Sequence, residues 1–269
     1  MVSMVSAPSI STSLLDEPPA EDLAKTKPLS GPSWRDKILQ SETIAKPVCI
    51  IPAKKLSVRL PGKNKALVGG KPLVMHAIDV AKASDIFSMI IVSSDDEDVL
   101  EMAYEAGVFP HKRPAFLLKP SLQMKDICLF VMKLSQVPKA DVFCLLPPPN
   151  PFRTAKDLRD GYEMIWEKDA NYVMTVVRSL PPPQLGLRMA KGYLVPERGF
   201  EYIKQAQKLE PLYRHDGAFI FARREVFEIE YEYGFYGSKV LPMILPRKTI
   251  DIDTEDDLLY ARYLWGEKR

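Results

Sequence analysis

From Val48 onward the chain repeats one unit: a short unbroken apolar run, a polar loop, and then apolar residues at helical spacing. Val-Cys-Ile-Ile at 48–51 leads through a cationic loop into a helical pattern from Lys71 to Ala83. Met89 to Ser93 leads into Glu97 to Ala106. A helix over Gln123 to Leu134 precedes a strand at Val142 to Leu146, and one over Ala155 to Lys168 precedes a strand at Tyr172 to Val177. Unbroken apolar strands are buried on both faces, and a helix between two strands returns the second parallel to the first. The pattern predicts an α/β domain with a mostly parallel, doubly wound sheet covered by helices on both sides.

The alternation breaks after Ser179. Pro181-Pro182-Pro183 opens an irregular stretch to Tyr213, read as an excursion from the sheet, before a strand returns at Ala218 to Ala222. Lys248 to Ile252 reads as a last strand, and Thr254 as the N-cap of a terminal helix with Glu255, Asp256 and Asp257 in its first turn. Residues 1–46 mix Ser, Pro, Ala and charges with no sustained apolar period, so they offer no face to bury. They are expected to form a flexible tail, with a short helix near Trp34 to Gln40, or else a docking arm for a partner. Residues 47–269 are left as the domain.

Lys and Arg number 37 against 35 Asp and Glu, and no basic run gathers them, so a small anionic substrate is expected and a nucleic acid is not. Cys49, Cys128 and Cys144 sit in apolar surroundings at wide, irregular spacing, which suits neither a disulfide framework nor a zinc site. They are expected to be buried small hydrophobes in a reducing compartment. No segment approaches the roughly 20 apolar residues of a membrane span, and the start of the sequence lacks the pattern of a signal peptide, so a cytoplasmic location is expected.

Ligands of an open parallel sheet bind outside the carboxyl ends of its strands, so the segments after each strand carry the functional candidates. Residues 53–64 place four cations, Lys54, Lys55, Arg59 and Lys63, with Ser57 and Gly62 directly after the first strand. Such a loop suits a triphosphate, or else is a solvated basic turn. It lacks the P-loop pattern, and no Gly-x-Gly-x-x-Gly occurs, which removes the usual signals of nucleoside triphosphatases and dinucleotide oxidoreductases. Near the other end, Asp251 and Asp253 alternate with Ile252, so on a strand both carboxylates share one face and can hold magnesium against a triphosphate. The alternative, charges fronting a helix, accounts for Glu255 to Asp257 and leaves Asp251 unexplained. Asp96 reads as a helix N-cap and His76 as structural. His111 and His215 are not spaced with a carboxylate as a metal pair.

Ala53, Ser57, Arg59, Pro61, Gly62, Lys63 and Asn64 fall in register with a loop that the acylneuraminate cytidylyltransferases carry, Ala-Arg-Gly-Gly-Ser-Lys-Arg-Ile-Pro-Gly-Lys-Asn, and Lys71-Pro72-Leu73 resembles the helix start that follows it. Val92 to Asp96 is similar to the family's Val-Ser-Thr-Asp-Asp, Leu145 to Arg153 to its Leu-Leu-Gln-Pro-Thr-Ser-Pro-Leu-Arg, Arg214 to Ala218 to its Arg-x-Asn-Gly-Ala, and Asp251 to Asp257 to its Asp-Ile-Asp-Thr-Glu-x-Asp. The resemblance runs from about residue 47 to the end. It implies a Rossmann-like nucleotide-binding sheet of the nucleotide-diphospho-sugar transferase type and transfer of a nucleotidyl group from CTP to a keto sugar acid. It also implies a homodimer built partly from residues 181–213. By the same resemblance Lys63, Asp251 and Asp253 are catalytic, with Mg2+ on the two aspartates and Asp95 the next candidate ligand. Lys54, Ser57, Arg59, Asn64, Ser94 and Asp95 would bind the nucleotide, and Arg153, Arg214 and Asp216 the substrate.

The chain departs from the pattern at several places. Lys54 replaces an Arg, Lys55 and Leu56 replace the loop glycines, Pro147 replaces a Gln, and Asp216 replaces an Asn. These changes fit either a retargeted enzyme or a non-catalytic relative that binds a nucleotide or sugar. A chain that begins near Ala45 is expected to stay soluble and to keep its melting temperature within a few degrees. Loss of soluble protein on truncation would show that the first 46 residues belong to the fold.

Overall fold

The computed structural model describes residues 45–266. The expected short helix at Trp34 to Gln40, with nearly all of the expected tail, lies outside them. The described chain runs β1 (Val48–Ala53), β2 (Leu67–Val68), β3 (Lys71–Pro72), α1 (Leu73–Ser84), β4 (Met89–Ser94), α2 (Glu97–Glu105), β5 (Phe109–Lys112), α3 (Met124–Met132), β6 (Val142–Leu145), α4 (Ala155–Glu167) and β7 (Tyr172–Arg178). It continues with β8 (Leu187–Ala190), β9 (Tyr193–Pro196), β10 (Tyr213–Arg223), α5 (Arg224–Ile229), β11 (Val240–Met243) and α6 (Glu255–Trp265). Seven strands form one sheet in the order β11-β7-β10-β6-β1-β4-β5. All of its pairings are parallel except the two that β10 makes. The sheet is therefore α/β and mostly parallel, as the alternation predicts.

Its two faces can be read from β10. Ile220 and Ala222 pack with Ile127, Cys128 and Val131 of α3, together with Ile50, Phe143 and Met174 of neighbouring strands. The alternate residues Phe219 and Phe221 turn the other way, against Gly161 and Tyr162 of α4. Period-two alternation thus places one helix on each face, and the strands between are buried on both. Thr154 and Thr254 cap α4 and α6 through capping boxes closed by Asp157 and Asp257, and Asp96 caps α2 by accepting from Asp98 N–H. The three cysteines are buried and free.

One expected strand is absent. Residues 248–253 do not join the sheet; their tie to the strand ends is a single backbone bond, Ile252 N–H to Pro149 O at 3.0 Å. The reason is local. The segment runs beside the loop after β6 and the middle of β10, where the register shift between His215 and Ile220 leaves residues 216–219 with no ladder for a further strand to extend. Before it, Arg247 forks onto both carboxylate oxygens of Asp157 at the start of α4, and after it Thr254 begins α6. The chain nevertheless alternates as a strand would, with Ile252 fully buried among Leu60, Val68, Leu73 and Leu258 while Asp251 and Asp253 stay half-buried.

The edge strands β5 and β11 are the ones the periodicity misses. Each contains a proline, Pro110 and Pro242, which an edge tolerates because one side of the strand has no partner for a backbone N–H. The stretch expected to leave the sheet holds the separate hairpin β8–β9. β10 is longer than Ala218 to Ala222 because it continues back to Tyr213 through a shift in register between His215 and Ile220. At Gly161 an added Cβ would lie 2.6 Å from Cε2 of the fully buried Phe219 and 3.3 Å from Phe221. Gly161→Ala is therefore expected to lower stability by roughly 1–3 kcal/mol of overpacking, less the ~1 kcal/mol helix preference for Ala, in urea unfolding. A more stable variant would show that the aromatic layer has room to yield.

Candidate active site

The chain leaves β1 toward β4 and β5 and then returns to β6 on the other side of β1, so the strand order reverses between β1 and β6. A crevice opens at such a reversal, outside the carboxyl ends of the two strands. The loop after β1 and the loop 146–153 after β6 form its walls. The first is pinned at both ends: Lys55 N–H donates to Asp95 Oδ1 at 2.7 Å, and the buried Asn64 donates from Nδ2 to Lys54 O at 2.9 Å. Leu60 is buried beside Ile252, whereas Leu56 and Val58 stand exposed at the loop tip. Gly62, at φ 69°, makes the left-handed turn into a single 3-10 turn that begins at Lys63.

That turn brings the two ends of the candidate site together. Lys63 Nζ lies 2.9 Å from Asp253 Oδ1, and Arg59 Nη2 lies 2.6 Å from Asp253 Oδ2. Asp251, two residues earlier, rests its carboxylate on bare backbone; a Cβ added at Gly217, φ +75°, would lie 2.7 Å from Asp251 Cγ. Burial raises the Asp251 pKa, with Asp253 and Asp216 adding to the effect and Lys63 and Arg214 opposing it. Asp253 is covered by these two cations.

Several expected ligand-facing residues turn inward instead. Ser94 donates its hydroxyl to Ala53 O at 2.6 Å and accepts from Asp96 N–H at 3.0 Å, which ties β4 to the start of the β1 loop. Asp216, 2% exposed, accepts from Ala218 N–H at 3.0 Å and from the Thr249 hydroxyl at 2.8 Å. Its charge points into the protein. Arg153 is buried and donates Nη1 to Pro147 O and Ala218 O, at 2.6 and 3.0 Å. Burial pushes its pKa down to about 10. Ser57 is half-buried, and Lys54 and Arg214 are exposed.

Arg113 escapes the sequence reading. It is buried just after β5, donating from Nε and Nη2 to the hydroxyl and carbonyl of Ser93 at 3.0 and 2.8 Å, and Asp95 favours its charge. A cation directly after a strand was the available signal, but the prolines flanking and entering β5 hide the strand that precedes it. His76, expected to be structural, lies 2.8 Å from Val68 O and meets Trp265 edge-on.

Among the described residues no group of three or more His, Cys, Asp or Glu converges as a metal site. Two carboxylates are nonetheless enough for Mg2+, which keeps several waters and takes the rest of its oxygens from phosphates. Asp251 fits this requirement, because its ionised form is disfavoured in the metal-free protein and a cation would relieve it.

The profile of the cytidylyltransferase family matches residues 48–238. The chain belongs to that family. It is 30% identical over 219 residues to the CMP-N,N'-diacetyllegionaminic acid synthase of Legionella pneumophila, covering 78% of this chain and 92% of that one. It is 29% identical over 227 residues to the pseudaminic acid cytidylyltransferase of Campylobacter jejuni, covering 82% and 96%. The N-acylneuraminate cytidylyltransferase of Streptococcus agalactiae is also 29% identical over 223 residues, but the match covers 80% of this chain and 52% of the relative, so this chain spans about half the length of that protein. Among solved structures, a CMP:2-keto-3-deoxy-manno-octonic acid synthetase in complex with CTP superposes with a TM-score of 0.62 at 18% identity, covering 83% of this chain and 99% of that one. That likeness shows the fold of this cytidylyltransferase.

A carboxylate whose pKa is raised by folding destabilises the native state wherever the pH exceeds the unfolded value, near 3.8 for Asp251, and the penalty is complete above the folded value. Asp251→Asn is therefore expected to raise the melting temperature of the metal-free cytidylyltransferase at pH 7. The gain should shrink as the pH falls toward 3.8. A lower melting temperature at pH 7 would show that Asp251 makes favourable contacts outweighing its burial.

Proposed function

We propose that the protein carries out magnesium-dependent transfer of a cytidylyl group from CTP to the anomeric hydroxyl of a keto sugar acid. The observation that carries this reading is the convergence of Lys63 and Arg59, from the loop after β1, on Asp253 beside Asp251, at the crevice where the strand order reverses. The sugar hydroxyl attacks the α-phosphorus in line and gives up its proton to solvent; a new P–O bond forms, the bond to the bridging oxygen breaks, and pyrophosphate leaves with its electron pair. Lys63, Arg59 and the exposed Lys54 neutralise phosphate charge, which falls increasingly on the leaving pyrophosphate. The pinned ends of the β1 loop, held through Asn64 and through Lys55 N–H on Asp95, fix where those cations stand. Mg2+, held by Asp251 and Asp253, would supply Lewis-acid charge neutralisation at the triphosphate.

The names of the relatives support a nonulosonic or related keto sugar acid as acceptor, and the exposed Arg214 is the cation available to its carboxylate. Because Asp216 points inward, its negative charge does not oppose that carboxylate. Cytosine as the base rests on the family alone. A homodimer is supported by the hairpin excursion, where Met189, Tyr193, Leu194, Phe200 and Ile203 are all more than 60% exposed. An apolar patch of that kind on a water-soluble protein marks an interface. No helix among the described residues is long and apolar enough to cross a membrane, and the free buried thiols are compatible with the reducing cytoplasm.

Incubation with each nucleoside triphosphate, Mg2+ and a panel of keto sugar acids, with pyrophosphate release followed, is expected to show turnover with CTP and one class of acceptor. Asp253→Asn should lower turnover by about two to three orders of magnitude, as does losing one preorganised electrostatic group. Equal turnover with a purine nucleotide would overturn the base assignment. Nucleotide binding without turnover on any acceptor would favour the non-catalytic alternative.

A further inference from the structure

Three stretches with no regular pairing to one another meet at residue 216. Asp216 O accepts from the buried Asn150 Nδ2 at 3.0 Å, which fixes it to the loop after β6. Its carboxylate holds Ala218 N–H with one oxygen and the Thr249 hydroxyl with the other, at 3.0 and 2.8 Å. Thr249 lies two residues before Asp251, on the same side of a chain whose alternate residues, Ile250 and Ile252, face the apolar cluster. The next residue, Gly217, leaves the space that the Asp251 carboxylate occupies. The dipeptide Asp216-Gly217 therefore grips the acidic segment at both Thr249 and Asp251. Arg153 on Ala218 O and Pro149 O on Ile252 N–H fasten both partners of the grip to the loop after β6.

We propose that Asp216 is a positioning residue for the carboxylate pair Asp251 and Asp253, acting through Thr249, and not a contact to the sugar acid. The inference rests on the magnesium reading above. At 2% exposure, with both oxygens engaged, the Asp216 carboxylate reaches no ligand without breaking its own bonds. Removing it leaves a buried N–H and a hydroxyl unpartnered next to the metal carboxylates. An Asn at this position can keep the geometry: its oxygen serves Ala218 N–H, and its amino group can donate to the Thr249 oxygen.

The test is the Mg2+ midpoint of the CTP-dependent thermal shift, which needs neither sugar acid nor turnover, measured on the full chain and on Asp216→Ala, Asp216→Asn and Thr249→Val. Asp216→Ala and Thr249→Val should raise the midpoint about tenfold, as loss of a group that orients a metal ligand does, and Asp216→Asn should stay near the parent. At saturating Mg2+ the KM for the sugar acid should be unchanged in all three. A parent-like midpoint in Thr249→Val, or an Asn variant shifted as far as the Ala variant, overturns the proposal. So does a sugar-acid KM that moves while the midpoint does not, since that makes Asp216 a substrate contact. Thr249→Val decides the matter if Asp216→Ala does not fold. A parent chain with no Mg2+-dependent shift removes the metal reading and this proposal together, whereas a responsive parent with unresponsive variants removes this proposal alone.

Discussion

β1 is buried along all six residues and is hydrogen-bonded on both edges by parallel neighbours, β4 on one side and β6 on the other. A strand held in this way has no freedom to shift register, because a one-residue slip would move every side chain to the opposite packed layer, against neighbours shaped for a different residue. Everything at the crevice is referred to its carboxyl end. The Ser94 hydroxyl is bonded to Ala53 O, and the next backbone groups, Lys55 N–H and Lys54 O, are bonded to Asp95 and Asn64. The loop therefore starts from a fixed point and returns to one, so its cations are placed by the sheet while its tip stays unpaired.

The interior of the fold was legible because its strands are unbroken apolar runs, and parallel burial on both faces leaves no other arrangement for them. The edges were not. Phe109–Lys112 and Val240–Met243 are short and carry proline, and what makes them strands is a neighbour on one side, which periodicity does not report. The opposite error at Lys248 to Ile252 has the same origin. Alternation there is real and buries Ile252, but it records a chain with one wet side and one dry side, not one with strand partners.

In the site, residue types were legible and side-chain directions were not. The cationic loop and the paired aspartates follow from composition and spacing, and the structure brings Lys63, Arg59 and Asp253 into contact. Ser94, Arg153 and Asp216 stand in the same motifs yet face inward. Their direction depends on a register shift in β10 and on which carbonyls the loops leave open, both of which are set by tertiary contacts. A motif written as letters merges ligand contacts with the groups that hold them.

The same distinction explains how the site accommodates its departures from the family pattern. Pro147 has lost a side-chain amide and a backbone donor, but its carbonyl is retained as the acceptor for Arg153, which the Pro substitution leaves intact. Lys55 replaces a glycine, yet the group engaged there is its backbone N–H on Asp95, which any residue but proline supplies. Leu56 takes the other glycine position with its side chain 78% exposed, so it adds bulk on the open side of the loop and not between the backbone and the crevice floor. Asp216 adds a charge, but one directed into a socket of an N–H and a hydroxyl, where it favours the charged form of the buried Arg153. Pro147, Lys55 and Asp216 fall where the protein uses the backbone or the interior, and Lys54 keeps a cation, while Lys63, Arg59, Asp251 and Asp253 match the pattern. Substitution has thus spared the charged side chains that converge where the strand order reverses.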